Sequence, residues 1–144
     1  MKFSLTTPRG ALVETDVEEV TAPGTEGEFG VLPGHVPLMA ALKPGVLSYK
    51  AKDHVGVVAI GQGFLQVAPQ SGTDTAHDRV LVLVDHALTA KDVDRAVAEK
   101  DLQAADRELA GWKAELDGAY DALLIRRGWA QARLDAAGRA APTH

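Results

Sequence analysis

The sequence predicts an α+β protein in which an N-terminal β-sandwich or barrel is followed by a C-terminal antiparallel α-helical hairpin. Up to about Ala87, short apolar runs are separated by glycine and proline, a pattern typical of strands joined by tight turns. After Leu88 the apolar residues recur every three or four positions, which is the period of an amphipathic helix. We therefore assign residues 1–87 to the β-sandwich domain and residues 88–144 to a two-helix hairpin.

Short apolar runs of strand length fill the first half. They are Phe3 to Leu5, Ala11 to Val13, Val17 to Val20, Val46 to Tyr49, Val55 to Ile60, Phe64 to Val67 and Val80 to Val84. Many short strands at regular spacing favour a sandwich or barrel. The polar segments Lys50 to His54 and Gln70 to Arg79 are predicted to be a hairpin loop and a longer exposed loop.

The segment from Ala22 to Leu38 has an unusual density of turn residues. It holds four glycines and three prolines in 17 residues, yet its apolar residues keep a strand-like rhythm. Because glycine permits positive φ and proline fixes φ, this composition predicts tightly specified turns rather than a flexible linker. The predicted order is a turn, a strand from Glu28 to Leu32, a turn at Pro33-Gly34 and a strand from Val36. The corner carries polar groups, namely Glu26, Glu28 and His35.

The second half predicts two helices. Thr89 followed by Asp92 resembles a capping box, so the first helix is predicted to begin near Ala90. Asp117-Gly118 is the favoured turn at its end, and Gly111 is the alternative. One seam of this helix is formed by Ala98, Leu102, Ala105, Leu109, Trp112 and Leu116.

The second helix is predicted from about Ala119 to Ala137 and is basic within an acidic protein. From Ala119 onward four arginines stand against two aspartates, a net charge of +2 (4 − 2). Because alanine buries little area but forms helices well, the hairpin is expected to dock weakly while each helix persists undocked. Its alanine seam is predicted to comprise Ala98, Ala105, Ala119, Ala122, Ala130 and Ala132.

The composition excludes several classes of function. The chain of 144 residues has a formal net charge of −5, which argues against a nucleic-acid partner because phosphates require a basic surface. It has no cysteine, so neither disulfides nor thiolate chemistry are expected. No P-loop, HExxH or GxSxG motif is present, and the five histidines lack metal-ligand spacing. We expect no catalytic residues, no metal, no obligatory cofactor, and membrane association only through partners.

Two segments carry a specific resemblance. Glu26 to Leu38 (EGEFGVLPGHVPL) and Leu42 to Leu47 (LKPGVL) resemble the signature of the epsilon subunit of bacterial F-type ATP synthase. Gly61 to Val67 (GQGFLQV) and Val80 to Ala87 (VLVLVDHA) are similar to later segments of the same family. The resemblance covers essentially the whole chain, and the stretch from Ser71 to Asp78 is longer than the usual loop.

The resemblance implies a non-catalytic rotor subunit. In the family, the β domain sits at the foot of the central stalk, against the gamma subunit and the membrane ring of c subunits. The helical hairpin either folds onto the β domain or extends along gamma toward the alpha and beta subunits, and the extended form restrains ATP hydrolysis. The chain is then expected at the cytoplasmic face of the bacterial inner membrane, as a peripheral protein held by its partners.

Glu28 and His35 are the first candidate site that the resemblance implies. They stand where the family's loop faces the polar loops of the membrane ring. The alternative interpretation is that Glu28 is a solvated strand residue and His35 a turn residue with no partner protein.

A second candidate site is a regulatory ATP site. Asp92 and Arg95 match the family's motif of an aliphatic residue, Asp, two variable residues, Arg and Ala, although Lys91 replaces the aliphatic residue. Arg126 and Arg127 are expected to add phosphate contacts from the second helix. The alternative is an ordinary first helical turn, in which acidic residues favour the positive end of the helix dipole.

The basic face of the second helix is the third candidate. Arg126, Arg127 and Arg133 are expected to meet acidic surface on the catalytic head, unless they form only a solvated face. The alternative function for the whole chain is a stand-alone nucleotide-sensing module that uses Asp92 and Arg95. That module predicts a monomer that binds ATP tightly, whereas the rotor subunit predicts a stable complex with gamma.

Overall fold

The computed structural model describes residues 1–34, 37–68 and 78–139. The strands in these residues are β1 (Lys2–Thr7), β2 (Gly10–Asp16), β3 (Glu19–Gly24), β4 (Gly27–Val31), β5 (Leu38–Leu42), β6 (Gly45–Lys50), β7 (Val55–Ile60), β8 (Gly63–Ala68), β9 (Arg79–Val84) and β10 (Ala87–Thr89). A 3₁₀ helix (Ala90–Asp92) leads into α1 (Arg95–Ala110) and α2 (Gly118–Arg139). The predicted α+β class, strands first and two helices last, is confirmed.

The strands form one sheet that curls into a nearly closed barrel. Their hydrogen-bonded order is β10-β7-β6-β3-β5-β8-β9-β1-β2, and β4 pairs with β3 outside this path. Neighbouring strands are antiparallel except β1 and β9, which run parallel from Lys2 opposite Arg79 to Thr6 opposite Leu83. The N-terminal strand is therefore held by the last long strand of the barrel.

Alternate strand residues fill the barrel interior. On β9, Val80, Val82 and Val84 are buried, while Arg79 and Leu83 are exposed. This alternation follows from the period of two along a strand. The largest fully buried side chains of the described chain include Phe3, Leu5, Leu47, Ile60 and Leu65.

The glycine- and proline-rich segment forms the turns that its composition predicts. β3 and β4 are a hairpin in which Gly24 pairs with Gly27, and Gly27 has a φ of +130°. The predicted strand from Glu28 to Leu32 is found as β4. A turn follows at Pro33-Gly34, and β5 begins at Leu38, while Val36 lies outside the described residues.

The helical hairpin lies on the outside of β6 and β7, with α2 against the sheet. Ala132 and Ala136 of α2 pack on Ala59 of β7, together with Ala90. Small side chains let the helix backbone approach the sheet closely. At the next turn, the Trp129 ring stacks on the His86 ring with centroids 5.5 Å apart.

The start of α1 differs from the prediction. Asp94, not Thr89, is the N-cap, and its side chain accepts a hydrogen bond of 3.2 Å from the amide of Val97. The Thr89 hydroxyl instead donates to the Asp92 carboxylate at 2.8 Å, next to the 3₁₀ turn. The predicted capping box was wrong because the side chains of its two residues bond to each other rather than to backbone amides.

The end of α1 follows the alternative rather than the favoured prediction. The helix ends at Ala110 with Gly111 as C-cap, so the predicted seam residues Trp112 and Leu116 lie beyond it. Asp117 does not turn the chain at the end of α1. Its carboxylate accepts the amides of Ala119 and Tyr120 at 3.0 and 3.2 Å, the arrangement of an N-cap for α2.

The alanine seam is only partly confirmed. Ala98 and Ala105 of α1 and Ala130 and Ala132 of α2 are buried, as predicted. The predicted seam residues Ala119 and Ala122 are exposed, because the first turns of α2 extend past the end of α1.

Candidate interaction surfaces

The turn at Pro33 and Gly34 leaves β4 and leads toward β5. Gly34 has a φ of +84°, in the left-handed region that favours glycine. Its amide donates a hydrogen bond of 2.9 Å to Oδ2 of Asp78, immediately before β9. His35, the residue predicted to face the membrane ring from this turn, lies outside the described residues.

Asp78 is buried, with 3% of its surface exposed. The polar composition of Gln70 to Arg79 predicts an exposed loop, and for Asp78 that prediction is wrong. The physical reason is that Asp78 accepts two hydrogen bonds from the barrel. Its carboxylate accepts one from the Gly34 amide, and its backbone oxygen accepts one of 2.7 Å from the Lys2 amide. Asp78 therefore belongs to the wall of the barrel.

Glu28 lies at the other end of β4 from the turn. It is exposed and stands opposite Pro23 in the β3–β4 hairpin. It lines a shallow groove of about 480 Å³ together with Val46 and the last turns of α2, including Arg139. Because β4 is extended at about 3.3 Å per residue, the structure separates Glu28 from Gly34 instead of joining them at one corner.

An apolar surface covers the outside of β5, β8 and β9. Met39, Phe64 and Leu83 are 67%, 56% and 48% exposed. Phe64 stands directly opposite both Ala41 of β5 and Leu83 of β9, so these side chains are neighbours on one face. We call Met39, Ala41, Phe64, Leu81 and Leu83 the outer apolar face.

This face was missed in the sequence, although a signal for it is present. Residues Val80 to Val84 are continuously apolar, whereas a strand with one wet face alternates apolar and polar residues. Gly63 supports the same packing, because a Cβ at this position would lie 1.9 Å from the Leu83 carbonyl oxygen. The missing side chain lets β8 and β9 approach at the edge of the face.

Three arginines of α2 pair with acids of α1. Arg133 lies 2.9 Å from Asp101. Arg126 lies 2.7 Å from Glu108, and Arg127 bonds to Asp106. All three arginines that were predicted to contact the catalytic head therefore form ion pairs within the hairpin.

Arg95 and Asp92 also have partners within the chain. A terminal nitrogen of Arg95 donates a hydrogen bond of 2.9 Å to the carbonyl oxygen of Ala137, near the end of α2. A cation at this position also favours the negative end of the helix dipole. Arg95 and the Arg126 partner Glu108 are 13 residues apart (108 − 95), about 20 Å along α1, so the structure does not bring the predicted phosphate ligands together.

The described residues contain no group of three or more His, Cys, Asp or Glu side chains that is placed to hold a metal ion. Neither α1 nor α2 has an apolar stretch long enough to cross a bilayer. The distinctive features of the described residues are the outer apolar face on the barrel and the ion pairs of the helical hairpin.

Comparison with known proteins identifies the family. The family model described as the ATP synthase delta/epsilon chain, beta-sandwich domain, matches residues 1–90. The ATP synthase epsilon chain of Magnetococcus marinus is 38% identical over 93% of this chain and 91% of its own. That of Anoxybacillus flavithermus is 40% identical over 76% of this chain and 75% of its own.

Solved structures agree with this result. A chain in the mitochondrial ATP synthase of Euglena gracilis, a structure of OSCP, F1 and c-ring, matches with a TM-score of 0.71 and 25% identity, covering 94% of this chain and 79% of its own. A chain in the central stalk and c-ring structure of Tetrahymena thermophila shares the fold, with a TM-score of 0.59. This chain belongs to the ATP synthase epsilon chain family. It is a non-catalytic subunit of that enzyme, as the sequence predicts.

Proposed function

We propose that this chain is the rotor subunit that couples the catalytic head of a proton-translocating F-type ATP synthase to its membrane ring. The membership of the epsilon family and the likeness to chains of solved central-stalk and c-ring assemblies support this role. The subunit acts at the cytoplasmic face of the bacterial inner membrane and is attached there through its partners.

The outer apolar face is the single observation that carries the proposal. Ala41, Phe64 and Leu83 form one exposed apolar row across β5, β8 and β9, and Met39 and Leu81 lie in the next row on either side of Gln66. Exposed apolar side chains grouped in this way mark protein interfaces. We assign the gamma subunit as the protein that covers it. The large side chains of Met39, Phe64 and Leu83 are already one third to one half buried, so complete burial of each contributes about 1 kcal/mol.

A binding experiment with purified gamma tests this assignment. Phe64→Asp places a charge in the middle of the face and is expected to weaken gamma binding by about tenfold or more. Leu116→Asp is the matched control, because Leu116 is 76% exposed but belongs to the segment that connects α1 to α2, away from the face. Equal binding by the wild type and Phe64→Asp would remove the assignment, as would equal losses in both variants.

The contact with the membrane ring is assigned to β4 and the turn after it. Glu28, at one end of β4, is a polar residue on backbone that pairs with β3, and at the other end the Pro33-Gly34 turn is fixed by its hydrogen bond to Asp78. His35 adjoins this turn in sequence and lies outside the described residues. A rigid contact suits the transmission of torque because a mobile loop would yield under load.

The hairpin is assigned a regulatory role. While α1 and α2 are docked, Arg126, Arg127 and Arg133 are paired with α1 acids and are not available to another subunit. Extension of the hairpin breaks these pairs and frees the arginines for acidic surface on the alpha and beta subunits. Docking on α1 and docking on the catalytic head therefore compete, and the extended form restrains ATP hydrolysis.

A further inference from the structure

Asp78 connects three parts of the barrel that are distant in sequence. Its side chain accepts the amide of Gly34, 44 residues earlier, at 2.9 Å. Its backbone oxygen accepts the amide of Lys2 at the start of β1, and Arg79 begins β9. With 3% of its surface exposed, Asp78 is the buried charged residue of the described chain.

The turn at Gly34 needs such a connection because the sheet does not hold it on both sides. In an ordinary hairpin, the strands before and after a turn pair with each other and fix the turn between them. Here β4 pairs with β3, while β5 pairs with β8 along its length and meets β3 around the Gly24–Leu42 pair, at the end of β5 that is far from the turn. The Pro33-Gly34 turn therefore depends on contacts outside the strand ladder.

We propose that Asp78 is the positioning residue for this turn and that it sets the direction in which the turn faces the membrane ring. The second part rests on the proposed function. A buried carboxylate that accepts a backbone amide makes a short, strong and directional hydrogen bond. The bond ties the turn to the β1–β9 pair, so force on the turn passes directly into the barrel wall.

Hydrogen exchange in the isolated chain tests the tie itself. Asp78→Ala removes the acceptor, and the Gly34 amide is expected to exchange about tenfold faster or more. Asp78→Asn keeps a weaker acceptor of the same size and is expected to give an intermediate rate. Unchanged protection of the Leu65 amide on β8 shows that the barrel remains folded in both variants.

Asp16→Ala is the matched control, since Asp16 is an exposed carboxylate opposite Lys2 at the same end of the barrel. It is expected to leave the Gly34 rate unchanged. If Asp78→Ala and Asp78→Asn, with β8 protection intact, also leave that rate unchanged, the tie between Asp78 and the turn is overturned.

Assembled enzyme carrying the same variants tests the consequence for the ring. We expect Asp78→Ala to lower the number of protons pumped per ATP hydrolysed, with Asp78→Asn less affected and Asp16→Ala normal. Faster Gly34 exchange without any loss of pumping would overturn the ring contact of the turn and leave the tie in place. The two failures are therefore distinguishable.

Discussion

The Arg133 guanidinium lies between Asp101 of α1 and the ring of Trp129, 2.9 Å from the carboxylate and 5.3 Å from the ring centroid. Its side chain is 11% exposed, against 55% for Arg126 and 39% for Arg127. Because desolvated ion pairs are less screened by water and salt, this pair is the principal electrostatic lock of the docked hairpin.

Asp101→Asn is expected to destabilise the docked hairpin by about 1 kcal/mol, since it leaves the shielded Arg133 without a charged partner. Glu108→Gln is the control, because both members of that pair are more than half exposed, and it is expected to cost less than about 0.5 kcal/mol. Distance distributions between spin labels on α1 and α2 measure both effects. Equal opening in the two variants would contradict the dominant role of Arg133.

Neutralising the three acids of α1 is expected to increase inhibition. The variant Asp101→Asn, Asp106→Asn, Glu108→Gln frees the arginines without removing them, at a total cost of about 1.5 kcal/mol for the three pairs. The extended population then rises by about tenfold, and ATPase activity of the assembled enzyme falls. Changing the three arginines to glutamine also loosens the hairpin but removes the contact with the head, so inhibition is expected to fall. Equal activity in the two triple variants would disprove the competition.

Removal of the hairpin is expected to raise ATP hydrolysis. A chain that ends after Asp92 keeps β10 and the 3₁₀ turn, which belong to the sheet and its edge, and loses α1 and α2. ATPase activity of the enzyme assembled with this chain is compared with that of the full-length form. Retained gamma binding is the control, because the outer apolar face remains. If hydrolysis does not rise, the hairpin has no inhibitory role.

Arg95→Ala is expected to loosen the end of α2 by removing the bond to the Ala137 carbonyl. Amides of the last turn of α2 then exchange about fivefold faster. Arg107→Ala is the control, because Arg107 bonds within α1 to the Gln103 carbonyl. The same two variants, titrated calorimetrically with MgATP, test the predicted ATP site, since ATP binding that survives Arg95→Ala would exclude Arg95 as a ligand.

Gly63→Ala is expected to destabilise the barrel by about 2 kcal/mol, because the added Cβ must displace the Leu83 backbone. Gly138→Ala is the contrasting control, since a Cβ there meets nothing within 4 Å and alanine favours the helix. Urea unfolding of the isolated chain measures both. A neutral Gly63→Ala would show that β8 and β9 can separate without loss of stability.

The strands were predictable from sequence because alternation and turn residues both act over a few positions. The boundaries of α1 were not, because Thr89 and Asp94 are both acceptable caps and the choice depends on whether the chain first completes β10. The burial of Asp78 was also beyond local reasoning. Its acceptor role depends on Gly34, 44 residues away, and only the closed barrel brings the two together.

The sequence indicated the charged residues of the candidate sites, but it did not indicate which residues they pair with. The sequence marks the arginines of α2 as a basic face, yet it does not say that α1 offers an acid to each of them. Asp101, Asp106 and Glu108 of α1 reach their partners only because of the antiparallel register of the two helices. Those partners are Arg133, Arg127 and Arg126 of α2, in the same order. Ala98, Ala105 and Ala130 are buried, but alanine residues predict a helix and its buried side without fixing which residues of the two helices face each other.

The parallel pairing of β1 and β9 also determines the stage of protein synthesis at which the barrel can form. Lys2 pairs with Arg79, 77 positions later (79 − 2). The first strand to be synthesised, β1, can therefore form this pairing only after β9 has also been synthesised. Such distant pairing slows folding, because the intervening chain must be closed before the contact stabilises it. The outer apolar face needs β9 as well, so a chain that is not yet synthesised through Val84 cannot display it. Only chains with a completed barrel would therefore assemble through this face, and truncated or partly folded chains would not bind.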